Sequence, residues 1–390
     1  MIAGAIFFTR SVPQSSGGAQ TPVAAVRRLF DALEEEDVIG ILETLLPSER
    51  RMLAEPIQDV AEELGRLEIL NGGLDLSNLN GLDFEFYDLG FASTELTPDL
   101  SVVEVSKGRA RYRFAPVGGL VGNFLRDALP DEALGVSQGS TDLSDGESVF
   151  AVVRDGGDWY VSIWYSVAEN SRRDAQRALP VFGAGVPARG AATPEAAVDQ
   201  LIRAAASFDV RRLIELTPPE EARALHDYAQ IFIHEAEAGA AQARKDFRGK
   251  VTALELSSRI DGDRAVVKVD DIAFRYQIPE LDASVTYDGE CVVFHLAGEP
   301  PERDCGAGVG PALPFFLPPV DVPQADIGFA VVREGGAWYV SPTGTLLEGM
   351  VGILKAMTMS DLEAIKDFLQ FGFTDEFSFP EVVPEGTPNA

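Results

Sequence analysis

The chain has 390 residues, of which 46% are hydrophobic, and it carries 62 acidic against 32 basic side chains, a formal net charge of −30. This length accommodates two or three domains, and the apolar fraction is enough to fill a core in each of them. The acidic excess repels phosphates and anionic lipid head groups, so the composition disfavours nucleic acid as a partner.

The N-terminal residues 1–20 open with a short apolar run, Ile2 to Phe8, which a polar stretch containing serine and glycine follows. A membrane-spanning helix needs about 20 apolar residues, so this run is too short to cross a bilayer as it stands. We interpret residues 1–20 as the remnant of a membrane anchor or as a flexible tether. A disordered or locally packed tail is the alternative.

An internal repeat organises the rest of the chain. The segment from Thr21 to Glu49 aligns without gaps with the segment from Thr193 to Glu221, at an offset of 172 residues. Further on, FAVVRDGGDWYVS (150–162) and FAVVREGGAWYVS (329–341) differ at only two positions, at an offset of 179. Two matched stretches in the same order indicate that one ancestral unit was duplicated.

The repeat predicts how the chain is divided. The predicted parts are a first domain over 21–180, a linker over 181–192, a second domain over 193–372 and an acidic tail over 373–390. The linker is rich in glycine, alanine and proline, and we predict that the tail is disordered.

Each copy is predicted to begin with helices. Thr21 and Thr193 are typical N-cap residues, and each precedes a proline at the first helical position, where the missing N–H costs nothing. Apolar residues then recur at helical spacing, and two further helices follow.

The centre and the end of each copy are predicted to form a sheet. In the first copy we predict a hairpin over 102–114 that turns at Lys107 and Gly108. Both copies end in a hairpin around a glycine pair, followed by a helix. Trp159 and Trp338 come directly after these glycine turns, and we expect each to pack against the first helix of its own copy.

This arrangement, from the TPxAAV opening to the closing FAVVRxGGxWYVS hairpin, resembles bacterial cell-envelope proteins of the NTF2-like superfamily. The resemblance implies an α+β fold with two tandem NTF2-like domains, each with N-terminal helices packed on a curved antiparallel sheet that forms a cone with a pocket. It also implies that the two domains pair through their sheets, so that the chain is a monomer with an intramolecular pseudo-dimer. Enzymatic members, such as ketosteroid isomerase and scytalone dehydratase, use Asp, His or Tyr in the cone. No motif of this chain allows such residues to be carried over.

The two cysteines, Cys291 and Cys305, enclose 13 residues. We predict that they form a disulfide, which would stabilise a loop of this size by about 3 kcal/mol; two free thiols are the alternative. Together with the anchor-like start, this pair favours an extracytoplasmic, membrane-associated location.

The sequence offers few residues for catalysis. His295 is the one weak candidate for a catalytic base, because strand alternation places it on one face with Cys291. His226 and His234 lie eight positions apart on a predicted helix and are interpreted as surface residues. No pattern of metal ligands is found, and no cofactor is predicted.

Aromatic residues of the second copy are candidates for an apolar pocket: Phe274, Tyr276, Phe294, Phe315 and Phe316, with Phe232 and Phe329 as further members. An ordinary role in the core is the alternative. Phe315 and Phe316 belong to the proline-rich segment 311–323, which we interpret as a contact surface or as a lid over the cone.

These features favour a non-catalytic, extracytoplasmic and membrane-tethered protein that binds a protein partner or an apolar small ligand. One alternative is an isomerase or dehydratase that works in the cone of the second domain. The other alternative is a structural scaffold, in which duplication serves only to make the pseudo-dimer.

Overall fold

The computed structural model describes residues 17–363 and residue 366, with gaps at 78, 132, 145–148, 279–280, 290, 306–327 and 364–365. It shows an α+β chain in which helices pack on two antiparallel, curled sheets. The predicted anchor run, the proline-rich segment 311–323 and the acidic tail lie outside the described residues. No helix within the described ranges is long and apolar enough to cross a membrane.

Three helices, a five-stranded sheet and a closing helix form the first copy, with one short helix inserted between strands. Its elements are α1 (Pro22–Glu34), α2 (Val38–Thr44), α3 (Pro47–Arg66), β1 (Leu82–Thr97), β2 (Leu100–Phe114), a 3-10 turn (Pro116–Gly118), α4 (Asn123–Ala128), β3 (Ser137–Asp142), β4 (Val149–Asp155), β5 (Asp158–Ser162) and α5 (Ile163–Asp174).

The second copy follows the same plan with a seven-stranded sheet. Its elements are α6 (Pro194–Ala206), α7 (Val210–Glu215), α8 (Arg223–Asp246), β6 (Arg248–Asp261), β7 (Arg264–Ile278), β8 (Leu281–Tyr287), β9 (Val292–Leu296), β10 (Glu302–Asp304), β11 (Phe329–Glu334), β12 (Ala337–Val340) and α9 (Pro342–Ala356).

Both sheets are organised around one long central strand. In the first sheet, β2 pairs along its whole length with β1, at its start with β4 and at its end with β3. In the second sheet, β7 pairs in the same way: with β6 along its length, with β11 at its start and with β8 at its end. The second sheet then extends through β9 and β10, whereas the first copy has α4 before β3.

The first helix of each copy is capped as the sequence predicts. The Thr21 hydroxyl accepts a hydrogen bond from the Ala24 N–H at 3.2 Å, and the Thr193 hydroxyl accepts one from the Ala196 N–H at 3.1 Å. Each proline occupies the first helical turn. These bonds satisfy backbone donors that a helix N-terminus otherwise leaves free.

Trp159 and Trp338 have closely similar surroundings. Trp159 exchanges two backbone hydrogen bonds with Ala19, just before α1, and Trp338 does the same with Ala191, just before α6. The Trp159 side chain packs in the core beneath α1, and the Trp338 side chain packs with residues of α6. The expectation that each tryptophan packs against the first helix of its copy is confirmed.

The prediction of a hairpin that turns at Lys107 and Gly108 is wrong. The strand β2 runs through both residues, and the chain reverses instead between Thr97 and Leu100. The register of β1 and β2 shifts near Gly90, opposite Lys107, so the glycine at 108 accompanies a β-bulge and not a turn.

The two copies dock through helices, and the contact is reciprocal. Helix α3 packs against α9, while α8, which occupies the position of α3 in the second copy, packs against α5, which corresponds to α9. The same two kinds of element thus meet twice, as in the isologous interface of a symmetric dimer. The expected pairing through the sheets is not what the described residues show, since no strand of one sheet packs extensively on a strand of the other.

Candidate functional site

A groove lies where α5 of the first copy meets α8 of the second, and the beginning of α9 also lines it. Its volume is about 530 Å³, within the range of roughly 300–1,000 Å³ that is typical of small-molecule sites. The wall is mostly apolar. The lining residues are Trp164, Val167, Ala168, Ser171, Arg172, Ala175, Arg177, Glu221, Ala222, Ala224, Leu225, Tyr228, Ile231, Phe232, Glu235, Pro342 and Thr343.

The groove rests on a core that both copies share. Ala224 and Tyr228 of α8 pack with buried residues of the first copy, among them Leu46, Tyr160 and Tyr165. The rings of Tyr165 and Tyr228 meet edge to face, with their centroids 6.2 Å apart. Neither copy alone could form this wall, so the groove depends on the docking of the two halves.

Two tyrosines link the copies by hydrogen bonds next to the groove. The Tyr165 hydroxyl donates to Oδ2 of Asp227 at 2.5 Å, and the Tyr228 hydroxyl donates to Oε2 of Glu169 at 2.9 Å. Burial is the main cause that raises the pKa of both phenols, and the neighbouring carboxylates add to it. Both hydroxyls therefore stay protonated and act as donors that hold α5 against α8.

The rim of the groove exposes apolar side chains. Val167 is 53% exposed and Phe232 is 37% exposed, although both belong to helices that pack elsewhere on a core.

Two arginines also line the groove, but each is paired with a carboxylate: Arg172 with Glu169 at 2.7 Å, and Arg177 with Glu235 at 2.6 Å. A ligand in this groove would therefore gain mainly from the removal of apolar surface from water.

The lining of the groove includes a buried carboxylate, Glu221, which is 7% exposed. Its Oε1 accepts a hydrogen bond from the Thr343 N–H at 3.0 Å, and the side chains of Ser341 and Thr343 also hydrogen-bond to the carboxylate. Burial raises the pKa of Glu221, and these hydrogen bonds oppose the shift. No partner for its Oε2 is found in the described part of the chain.

The structure places three of the five predicted pocket residues on one face of the second sheet. Phe274 pairs with Val285, which in turn pairs with Phe294, and Tyr276 lies two positions further along β7. The Phe274 and Tyr276 rings are half-buried and 4.3 Å apart, while Phe294 is 44% exposed. Phe315 and Phe316 lie outside the described residues.

Phe274 and Tyr276 belong to an aromatic cluster that also includes residues from the helices of the second copy. The Tyr276 ring lies 5.1 Å from that of Phe247, which lies 5.6 Å from that of Phe208. These contacts join the ends of α6 and α8 to the sheet, as expected of core packing. Phe329 also packs in the core of the second copy, whereas Phe232 is the predicted aromatic that lines the inter-repeat groove.

The three histidines occupy different environments. His295 lies exposed on β9, opposite Ser284, so it is not the buried base that a catalytic cone would require. His226 is half-buried and not a plain surface residue, because its Nδ1 lies 2.8 Å from the carbonyl oxygen of Val186 in the linker. His234 is exposed. Within the described ranges, no group of three or more His, Cys, Asp and Glu side chains could hold a metal ion.

The predicted disulfide between Cys291 and Cys305 is confirmed. The two cysteines flank the paired strands β9 and β10, so that the bond closes the far edge of the second sheet. A structural disulfide is weakly consistent with an extracytoplasmic location.

Comparison with known proteins does not assign the site. No family model matches the chain, and neither a curated protein nor a solved structure shows a significant similarity to it. The functional argument therefore depends on the geometry of the groove itself.

No direct signal for this groove exists in the sequence, since its two main walls come from different copies. The spacing of Trp164, Val167 and Ala168, like that of Ile231 and Phe232, is also compatible with ordinary core helices. Only the way in which the copies dock brings them together.

Proposed function

We propose that this chain is a non-catalytic, extracytoplasmic binding protein that holds an apolar small molecule in the groove between its two copies. The observation that carries this proposal is the apolar cavity of about 530 Å³ between α5 and α8. The NTF2-like assignment and the membrane tether at the N-terminus belong to the same proposal.

The energetics of the groove support a small apolar ligand. Each Å² of apolar surface removed from water contributes roughly 25 cal/mol, and a ligand would cover the exposed parts of Val167 and Phe232 as well as its own surface. The helices that form the walls are held by the hydrogen bonds of Tyr165 and Tyr228, so little ordering accompanies binding.

The alternatives find less support. The enzyme hypothesis needs His295 buried beside an acid in a cavity, and His295 is exposed. The scaffold hypothesis gains from the reciprocal contacts of α3 with α9 and of α8 with α5. Such a scaffold is also what the groove requires, so the pseudo-dimer serves the binding function and does not compete with it.

Fluorescence titration with N-phenyl-1-naphthylamine, an apolar dye that brightens in a dry site, tests the proposal. We expect saturable binding of one dye per chain. Ser171→Trp places a large side chain at the exposed mouth of the groove and should weaken binding at least tenfold. Ala238→Trp, on an exposed position of α8 outside the groove, is the matched control and should leave binding unchanged.

Thermal unfolding of both variants shows whether they remain folded. Equal dye binding by Ser171→Trp and by the unmodified chain would place the dye elsewhere. The proposal would then lose its support.

A further inference from the structure

A buried glutamate caps the closing helix in both copies, but the two caps differ in their backbone donors. In the first copy, Glu49 is 2% exposed and accepts from the Ser162 hydroxyl at 2.5 Å and from the Ile163 N–H at 2.7 Å. The Trp164 N–H lies 3.4 Å from Oε1 of Glu49. Both carboxylate oxygens of Glu49 therefore receive hydrogen bonds from the start of α5.

In the second copy, Glu221 takes the place of Glu49, and Pro342 takes the place of Ile163. A proline nitrogen carries no hydrogen, so the donor that serves Oε2 of Glu49 does not exist for Oε2 of Glu221. The other donors are retained, because Ser341 and the Thr343 N–H hydrogen-bond to the carboxylate, and the Thr343 side chain adds a hydrogen bond that Trp164 cannot provide. Even so, Oε2 of Glu221 has no partner among the described residues. The repeat thus leaves one buried acceptor oxygen of Glu221 without its backbone partner.

The position at which proline replaces isoleucine, Pro342, lies in the wall of the groove. Glu221, Pro342 and Thr343 all line it, whereas the other lining carboxylate, Glu235, is paired with Arg177. A buried acceptor without a donor is costly, and a bound molecule that supplies the donor removes the cost. Glu221 thus lies in the groove wall with one carboxylate oxygen that a donor on a bound molecule can satisfy.

We infer that Glu221 is the polar recognition point of the groove, and that the ligand is an apolar molecule with a hydrogen-bond donor, either a hydroxyl or an ammonium group. This inference rests on the proposed function, because it names the ligand class of the same site. In the bound state, the ligand donor occupies the position that the Ile163 N–H occupies at Glu49.

Calorimetric titration of the full chain with matched probes tests the inference. The probes are 1-octanol, octylamine and octyl methyl ether, which share an apolar chain and differ in their donor. Loss of a hydrogen bond to a charged group corresponds to roughly tenfold or more in affinity, so octyl methyl ether should bind at least tenfold more weakly than 1-octanol. Octylamine tighter than 1-octanol would identify an ammonium group as the preferred donor.

Two variants then assign the preference to the carboxylate. Glu221→Gln replaces the free acceptor with a donor, and Pro342→Ala supplies the missing backbone N–H. Each should bring 1-octanol to within about threefold of octyl methyl ether, with the affinity for the ether little changed. Thermal unfolding checks that both variants are folded.

The outcomes separate the two claims. If 1-octanol and octyl methyl ether bind equally well, or if Glu221→Gln retains the preference for 1-octanol, the role of Glu221 is overturned and the apolar groove stands. If no probe binds while the dye also fails to bind, both the role of Glu221 and the proposed function are overturned.

Discussion

The hydroxyl of Tyr228, on α8 in the second copy, donates a 2.9 Å hydrogen bond to Oε2 of Glu169, on α5 in the first copy. The Glu169 side chain is 1% exposed and also accepts hydrogen bonds from Arg172 and Arg173. Burial by itself raises the pKa of Glu169, but the hydrogen bonds from the two arginines and Tyr228 outweigh it and lower the pKa below its usual value. An ionised, fully partnered carboxylate therefore joins the copies beside the groove.

Removing the Tyr228 hydroxyl should loosen this contact. We expect Tyr228→Phe to lower the free energy of unfolding by about 1.5–3 kcal/mol, the usual size of a hydrogen bond to a charged group. Chemical denaturation measures it. Tyr112→Phe, at an exposed site, is the control and should change the free energy of unfolding by less than about 0.5 kcal/mol. Equal effects of the two variants would show that the Tyr228 bond adds nothing to docking.

Glu169 should also make stability depend on pH in the acidic range. Because its folded pKa lies below that of an unfolded glutamate, its contribution is fully present above the unfolded pKa and is lost as the pH falls toward the folded pKa. We expect the stability difference between the unmodified chain and Glu169→Gln to shrink as the pH is lowered from about 5. Denaturation curves at a series of pH values measure this difference, and a constant difference would contradict the assigned pKa direction.

Features with local causes could be predicted from the sequence. Thr21 and Thr193 cap helices because a hydroxyl at that position meets a free N–H whatever the rest of the fold does. The glycine pairs at 156–157 and 335–336 adopt positive φ in the closing hairpins, as the turn requires. The disulfide was predictable because its two cysteines enclose only 13 residues, and the structure shows the bond.

Features that depend on docking could not be predicted. Trp164 and Phe232 belong to different copies, and no periodicity states how the copies meet. The prediction of a hairpin at Lys107 and Gly108 is wrong for a related reason. A glycine in a strand pattern is compatible with a bulge as well as with a turn, and only the pairing of the strand with its neighbour distinguishes the two. Pro342 lies one position beyond the aligned segment 329–341, and its missing N–H becomes relevant only once the structure shows that Glu221 is buried.

The disulfide should stabilise the edge of the second sheet. We expect the double replacement of Cys291 and Cys305 by serine to cost up to about 3 kcal/mol. The effect should be local, with faster hydrogen exchange in β9 and β10 and little change in β11 and β12, because β9 and β10 lie at the far end of the strand order. A reductant should act on the unmodified chain and leave the double variant unaffected. Equal exchange rates in β9 with and without the bond would contradict this.

The two capping glutamates should respond differently to the same substitution. Glu49→Gln sets an amide donor against one of the donors at the start of α5, so we expect it to lower the free energy of unfolding by about 1–3 kcal/mol. Glu221→Gln places its amide where Pro342 offers no N–H, and it removes a buried charge, so we expect it to lower the free energy of unfolding by less than Glu49→Gln does. The converse change, Ile163→Pro, should give the first copy the unpartnered oxygen of the second and cost about 1–3 kcal/mol. Chemical denaturation of the three variants under one condition measures these free energies of unfolding. Equal losses for Glu49→Gln and Glu221→Gln would mean that the absence of a backbone N–H at Pro342 has no energetic consequence.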